Sequence, residues 1–359
     1  MPPPAFSQQD EQFQRAFQIL NDAVAQCAFP GASVAITHEG KLVALQGQGR
    51  FTYAHDSPPV TAETIYDLAS VTKVVATTTA CMILYERGAL RLEQELVEIL
   101  PEFNGPDARR RLVTLQMLLA HSSGLPAYEK LFERAATGDA LIAEALKVPL
   151  AAEPGSRAEY SDIGFILLGL ALERIMGQSL DRFCRQEIFE KLGLQHMTYR
   201  PPLEWKSFIP PTVDDKAFRG KVIQGEVNDE NAWVLGGVSG HAGCFATAQE
   251  VAYFAECMLR GGGPLIDEET VKLFTKKEAS PVGTSRALGW DTPSPPSQSG
   301  RYLSPGSYGH LGYTGTSLWI DPGRRLSVTL LTNRTWPDRS SQLIKQVRPA
   351  FHDAVVEAL

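Results

Sequence analysis

Residues 67–88 read DLASVTKVVATTTACMILYERG, and the conformation of this run decides the fold. Val71, Val74, Val75, Ala76, Ala80, Cys81, Met82, Ile83 and Leu84 leave little polar face, which predicts a helix buried in the core. Lys73 sits in its first turn, three residues after Ser70. By itself Ser70 reads as an N-cap. Lys73 argues for more, because positions three apart share a helix face and the amine then reaches the hydroxyl. A cation at a helix N-terminus opposes the macrodipole, and burial opposes its charge again. Both effects push Lys73 towards the neutral amine that a general base must be. The same N-terminal amides favour an anion, so the backbone N–H of Ser70 is a candidate oxyanion donor.

Working outward, GASVAITHEGKLVALQGQG (31–49) predicts two strands around the turn HEGK, and TSLWIDPGRRLSVTLLTNR (316–334) repeats the design around DPGR. Residues 10–27 form an amphipathic pattern, and a terminal helix is expected over roughly 340–359. The middle, 71–245, is mostly helical with loops rich in Pro and Gly. The expected architecture is α+β: an antiparallel sheet built from both termini and flanked by helices (1–70 plus 246–359), with an inserted helical subdomain (71–245), one domain in total. A cleft between the two parts is the natural place for a site. PSPPSQSG (293–300) reads as a surface loop.

The chain has 359 residues and a formal net charge of −7 without a long basic run, which argues against nucleic acid as a partner. Arg109, Arg110 and Arg111 read as a solvated loop before a helix. Five cysteines, odd in number and without a CxxC pair, predict neither a disulfide framework nor a zinc site, and most are expected as small buried hydrophobes. The first residues, MPPPAFSQQDEQFQ, show neither a basic nor an apolar signal region. The ten-residue apolar run IGFILLGLAL (163–172) is too short to span a bilayer. The expectation is a cytoplasmic protein without stable membrane association, or a periplasmic or secreted one if a leader has been trimmed. The oligomeric state stays open.

SVTK (70–73) resembles the nucleophile motif of the serine β-lactamase and penicillin-binding protein superfamily. Two further motifs follow in order. PGSRAEYSDIGFILLG carries Tyr160, Ser161 and Asp162 after a Pro-Gly turn, similar to the family's Tyr-x-Asn. YGHLGYTGTSLWIDP carries His310, Leu311 and Gly312, similar to its Lys- or His-Thr-Gly. VTLQMLLAHSSGLP and LLTNR match supporting segments of the branch that holds class C β-lactamases, D-Ala-D-Ala carboxypeptidases and family VIII esterases. The resemblance covers roughly residues 15–355. It implies an acyl-enzyme on Ser70, with Lys73 and Tyr160 sharing the proton traffic and the backbone N–H groups of Ser70 and Tyr313 forming an oxyanion hole. His310 would line the far wall, by orienting Tyr160, polarising the leaving group or simply hydrogen bonding. Two departures stand out. Asp162 replaces an Asn that would both donate and accept, and is placed to pair with Lys73 or to face substrate. Leu311 replaces a hydroxyl residue that would help grip a carboxylate.

GEVNDENAWVLGGVSGHAGCFATAQE (225–250) gathers Asp229, Glu230, Asn231 and His241 among glycines. A metal site is one reading of these groups, but polar loop groups are favoured, and no cofactor or metal is expected. Gly236, Gly237, Gly240 and Gly243 suggest close backbone approach to something. The DENA and GHAG blocks, with Tyr-Ser-Asp, resemble a subgroup that includes N-acetylmuramyl-L-alanine amidases. That resemblance implies a sugar-linked lactyl or peptide amide as substrate, with Asp162, Gly312, Asp229, Asn231 and His241 on the substrate side. His121, Ser122 and Ser123 are expected to tie down a loop, because no Gly-x-Ser-x-Gly elbow exists for a triad. GQGRFT lacks the third glycine of a dinucleotide fingerprint and reads as a turn. The leading expectation is therefore a metal-independent serine hydrolase acting on a small cell-wall-derived amide. The alternatives are a carboxylesterase, a class C-like β-lactamase, and a catalytically silent binding protein of the same fold.

Overall fold

The computed structural model describes residues 1–294 and 296–359. Five strands, β1 (Gly31–His38), β2 (Lys41–Gly49), β3 (Tyr308–Leu311), β4 (Ser317–Asp321) and β5 (Leu326–Thr332), form one antiparallel sheet in the order β2-β1-β5-β4-β3. The two ends of the chain meet where β1 pairs with β5, with Val34 opposite Leu330 and Ile36 opposite Val328. Both strands are buried along almost their whole length because both sheet faces are covered. On one face, Val34, Ile36, Val328 and Leu330 pack with Phe13, Phe17 and Leu20 of the helix Gln14–Ala25 and its entry, and with Phe351 and Val355 of the helix Ile344–Glu357. Ala35, Leu318, Ile320 and Leu331 face the other way, into a larger core that also takes in the helix Ala248–Leu259. That core continues without a break through Val71, Val74 and Val75 to Leu118 and Leu167 of the helical part.

The run 67–88 is helical over most of its length, but it does not begin as an ordinary helix. Ile65–Asp67 is a short strand paired with Cys244–Thr247. Ala69 then takes a left-handed φ of 46°, followed by a tight turn over Ala69–Val71 and a widened, π-type segment over Lys73–Thr78. Regular α-helix runs only over Thr79–Glu86. Two side-chain bonds accompany the widened turns, a tertiary one from Thr77 Oγ1 to Gly240 O (2.7 Å) and a local one from Thr79 Oγ1 to Val74 O (2.7 Å).

Two surface expectations are corrected. Arg110 is buried, because its guanidinium donates to the carbonyls of Phe103, Leu146 and Val148 and so satisfies three backbone acceptors. The loop 293–300 includes Pro295, which lies outside the described residues. Its far end is not surface, since Ser299 is fully buried and Gln298 Oε1 accepts from Arg348 Nη1 (2.9 Å). Cys81, Cys184, Cys244 and Cys257 are buried, Cys27 is exposed, and all five are free thiols. Among the described residues no single helix is long and apolar enough to cross a membrane.

Candidate active site

Ser70 owes its position to the turn before it. Asp67 accepts the N–H of Ala69 on Oδ1 (2.8 Å) and that of Asn228 on Oδ2 (2.6 Å), and so holds the left-handed Ala69 in place. Burial raises the Asp67 carboxyl to about 6 against those hydrogen bonds. Ser70 makes no capping bond to the backbone. Its Oγ instead lies 3.0 Å from Lys73 Nζ and 2.7 Å from Tyr160 OH, and those two groups are themselves 2.7 Å apart. Tyr160 enters just ahead of the helix Asp162–Met176, which Ser161 caps by accepting the Gly164 N–H.

Lys73 is fully buried, and its amine has two further partners, Asp162 Oδ1 at 2.7 Å and the carbonyl of His241 at 3.0 Å. Both of these can only accept, so two N–H bonds are committed to them. The third position, facing Ser70 and Tyr160, is an N–H in the ammonium and a lone pair in the amine. The group can therefore gain or lose its proton without moving a heavy atom. Burial lowers the Lys73 pKa, Asp162 pulls it back up, and the net direction is down. Tyr160 is pushed well above its usual value by burial and by the Asp162 charge, so it stays a phenol. The structure thus places Asp162 against Lys73.

β3 brings the third motif to the same spot. Thr314 Oγ1 donates to Asp67 O (2.8 Å) and Thr316 Oγ1 to Leu68 O (2.9 Å), which ties the strand edge to the turn that presents Ser70. Only glycine fits at 312, since a Cβ there would lie 1.9 Å from Thr316 Oγ1 and 2.6 Å from Leu68 O. Buried Arg348 braces the segment by donating to Gly312 O and Thr316 O, 2.7 Å each. Among the described residues the Tyr313 N–H meets no acceptor, as an oxyanion donor requires. His310 Nδ1 donates to Leu311 O (2.8 Å), which leaves Nε2 as a lone-pair acceptor with no protein partner. Burial, Lys73 and Arg286 hold His310 well below its usual pKa, so it is a neutral acceptor and not an acid. Its ring centre is 6.1 Å from that of Tyr160, with no hydrogen bond between them.

These groups line a cleft of about 550 Å³ with Tyr128, Asp229, His241, Gln298 and several cations on its walls. Asp229 and His241 border it, but both imidazole nitrogens are already engaged, Nε2 2.8 Å from Asp229 Oδ1 and Nδ1 2.8 Å from Ser239 Oγ. Asn231 is not on the substrate side. It is fully buried, accepts the Phe132 N–H and donates to Glu129 O, and so fastens a neighbouring loop. His121 does tie down a loop, accepting the Ser161 N–H on Nδ1 (3.0 Å), and its ring also packs 4.7 Å from that of Tyr160. Sequence reading passed over Arg286, Arg334, Arg339, Lys345 and Arg348. Arg334 closes the LLTNR segment, and its place after a buried strand was the available signal.

Residues 16–348 match the family model described as Beta-lactamase. The chain is 34% identical over 310 residues to a putative D-alanyl-D-alanine carboxypeptidase of Escherichia coli K12, covering 76% of this chain and 70% of that one. It is 32% identical over 349 residues to an N-acetylmuramyl-L-alanine amidase of Bacillus subtilis 168, covering 85% and 77%. Among solved structures, EstCE1, a hydrolase with promiscuous acyltransferase activity, superposes with a TM-score of 0.78 at 21% identity, covering 96% of this chain and 100% of that one, which speaks to the fold. With its three ordered motifs meeting at one cleft, the chain belongs to the beta-lactamase family and is a serine hydrolase.

Proposed function

We propose that the protein cleaves a peptidoglycan-derived amide through an acyl-enzyme on Ser70. The observation that carries this is the three-way contact of Ser70 Oγ, Lys73 Nζ and Tyr160 OH at the floor of the cleft. On this reading Lys73, as the amine, takes the Ser70 proton while Oγ bonds to the carbonyl carbon. The oxyanion forms against the N–H groups of Ser70 and Tyr313. Tyr160 donates its proton to the leaving nitrogen as the C–N bond breaks and is reprotonated from Lys73. Water then enters by the reverse proton route and releases the acid. His310 Nε2 offers the substrate an acceptor.

Support for an anionic cell-wall fragment comes from the cleft's charge. Its carboxylates are each answered, Asp162 by Lys73, Asp229 by His241, Glu230 by Arg339 and Asp291 by Arg286. Among the described residues Arg334, Lys345 and Arg348 meet no carboxylate, and Arg334 and Arg348 are buried. Muropeptides carry the carboxylates such a wall would hold. The relatives named as carboxypeptidase and amidase agree with that class of substrate. A small-ester activity is the second reading, favoured by Leu311, whose side chain offers no hydroxyl.

One purified sample assayed on a muramyl-L-alanine peptide, a D-Ala-D-Ala peptide, p-nitrophenyl esters and nitrocefin separates these readings. Muropeptide or D-Ala-D-Ala turnover is expected to exceed ester turnover, with nitrocefin last. Ser70→Ala is expected to lose all covalent labelling by a fluorophosphonate. Labelling that persists in that variant removes Ser70 from the mechanism, and ester turnover alone makes the second reading the function.

A further inference from the structure

Four acceptors surround the Lys73 amine, and only one of them, the carbonyl of His241, is backbone. What fixes that carbonyl is the side chain of the same residue. The His241 ring is buried and anchored at both nitrogens, Nδ1 2.8 Å from Ser239 Oγ and Nε2 2.8 Å from Asp229 Oδ1. The loop is pinned again at Gly240, whose carbonyl accepts Thr77 Oγ1 and whose Cα lies so close to the helix Asp162–Met176 that a Cβ would meet Phe165 O at 2.1 Å. Asp229 in turn sits at the start of the helix Glu230–Val234, accepting the Ala232 N–H on Oδ1 (2.8 Å). One rigid chain therefore runs from a helix N-terminus through an imidazole to the amine.

We infer that Ser239, His241 and Asp229 form a positioning device for Lys73, which aims the His241 carbonyl at the amine and keeps a second carboxylate behind Asp162. The inference rests on the reading of Lys73 as the base that activates Ser70. With Ser239 O–H donating to Nδ1 and Nε2–H donating to Asp229, the ring cannot turn and the carbonyl cannot swing away. A fixed acceptor holds one amine N–H, so the lone pair of the neutral amine is directed at Ser70 and Tyr160 and not averaged over the pocket. Asp229 also acts through space. Its carboxyl is raised by burial but brought down to about 2 by His241, the Ala232 N–H and Lys73, so it is an anion at working pH and favours the protonated form of Lys73. The other groups facing Lys73 are Tyr160, Asp162 and Arg286, with His121 and His310 beyond. Those facing Asp229 besides His241 are Asp67, Tyr128 and Arg339.

The test is the rate of Ser70 modification by a fluorophosphonate from pH 4 to 10, measured on the full chain as wild type, Asp229→Asn and Ser239→Ala. This readout needs no knowledge of the natural substrate. Asn caps a helix about as well as Asp, so Asp229→Asn keeps the fold. Removing the anion is expected to move the acid limb of the rate down by roughly one pH unit. Ser239→Ala keeps both charges, and is expected to leave the limb in place and lower the plateau several-fold. An Asp229→Asn limb that overlays the wild type overturns the electrostatic half, even if the plateau falls, because a merely structural role would lower the plateau alone. A wild-type plateau in Ser239→Ala overturns the positioning half. Absence of labelling in the wild type overturns the acyl-enzyme reading and this inference with it, which separates the two failures.

Discussion

Asp162→Asn restores the residue type usual in the second motif and isolates the charge that faces the Lys73 amine. The carboxylate lies 2.7 Å from a fully buried amine, and its own side chain is 16% exposed. At an effective dielectric of about 20, unit charges at that distance attract by about 6 kcal/mol, an upper bound of about four pK units on the amine. The Asn carbonyl keeps one hydrogen bond to Nζ, and water reaching the edge of Asp162 screens the rest. A shift of about two units remains. The sign is fixed by the burial that already lowers Lys73: with the counter-ion gone, the amine loses its proton at lower pH. The acid limb of kcat/KM on a p-nitrophenyl ester is therefore expected to move down by about two pH units. Stability follows by linkage. The unfolded lysine holds its proton up to its ordinary value while the folded one releases it earlier, so stability rises with pH across that interval. Asp162→Asn widens the interval downward, and the variant is expected to be less stable than the wild type at neutral pH, with the difference shrinking in alkali. A limb that stays in place or moves up refutes the assignment of Lys73 as the titrating base.

Tyr160→Phe removes the hydroxyl that bridges Ser70 and Lys73, and is expected to lower kcat by about 10²–10³ with little change in substrate affinity, read from steady-state kinetics and a binding titration. Gly312→Ala drives a methyl into Thr316 Oγ1 and Leu68 O, and is expected to cost about 1–3 kcal/mol in denaturant unfolding and to reduce Ser70 labelling. Lys345→Gln is expected to raise KM several-fold for acidic muropeptides while leaving neutral ester kinetics unchanged, read from steady-state kinetics. The depressed Asp229 carboxyl gives stability that is fully present above pH 4 and is lost as pH falls towards 2, about 2 kcal/mol in all, so wild type and Asp229→Asn are expected to converge in that window in acid unfolding.

The strand pairs around HEGK and DPGR were legible because short Gly-containing turns between apolar runs leave few other conformations. So was the buried helix after Ser70. Its irregular start was not, because part of what surrounds it, the Asn228 N–H on Asp67 and the Gly240 carbonyl on Thr77, comes from more than a hundred residues downstream. The same limit governs the site. Ser70 and Lys73 announce themselves by spacing, whereas Asp162 and the His241 carbonyl reach the amine from 89 and 168 residues away. The subgroup resemblance implied a substrate-side Asn231, yet buried backbone consumes both ends of its amide. Arg110 misled in the opposite sense, as a cation that looked solvated but satisfies buried carbonyls.

The two departures from the family pattern act on different halves of the reaction, and together they narrow the chemistry. Asp162 raises the cost of a neutral Lys73, so the amine is a better base where the leaving group needs a proton returned from an ammonium, as an amide does. A good leaving group, such as a p-nitrophenolate, has no need of that return. Leu311 removes a hydroxyl from the strand edge, while among the described residues Arg334, Lys345 and Arg348 line the cleft without a partner carboxylate. A substrate acid would then be met by the Arg334 and Lys345 cations that line the cleft and not by a hydroxyl at position 311. In a β-lactam the carboxylate is borne by the carbon next to the ring nitrogen, and the hydroxyl that would help grip it is the one Leu311 lacks. An extended peptide on a lactyl sugar carries its carboxylates on a flexible chain that can meet those cations, and the ratio of muropeptide to nitrocefin turnover is where that difference is expected to show.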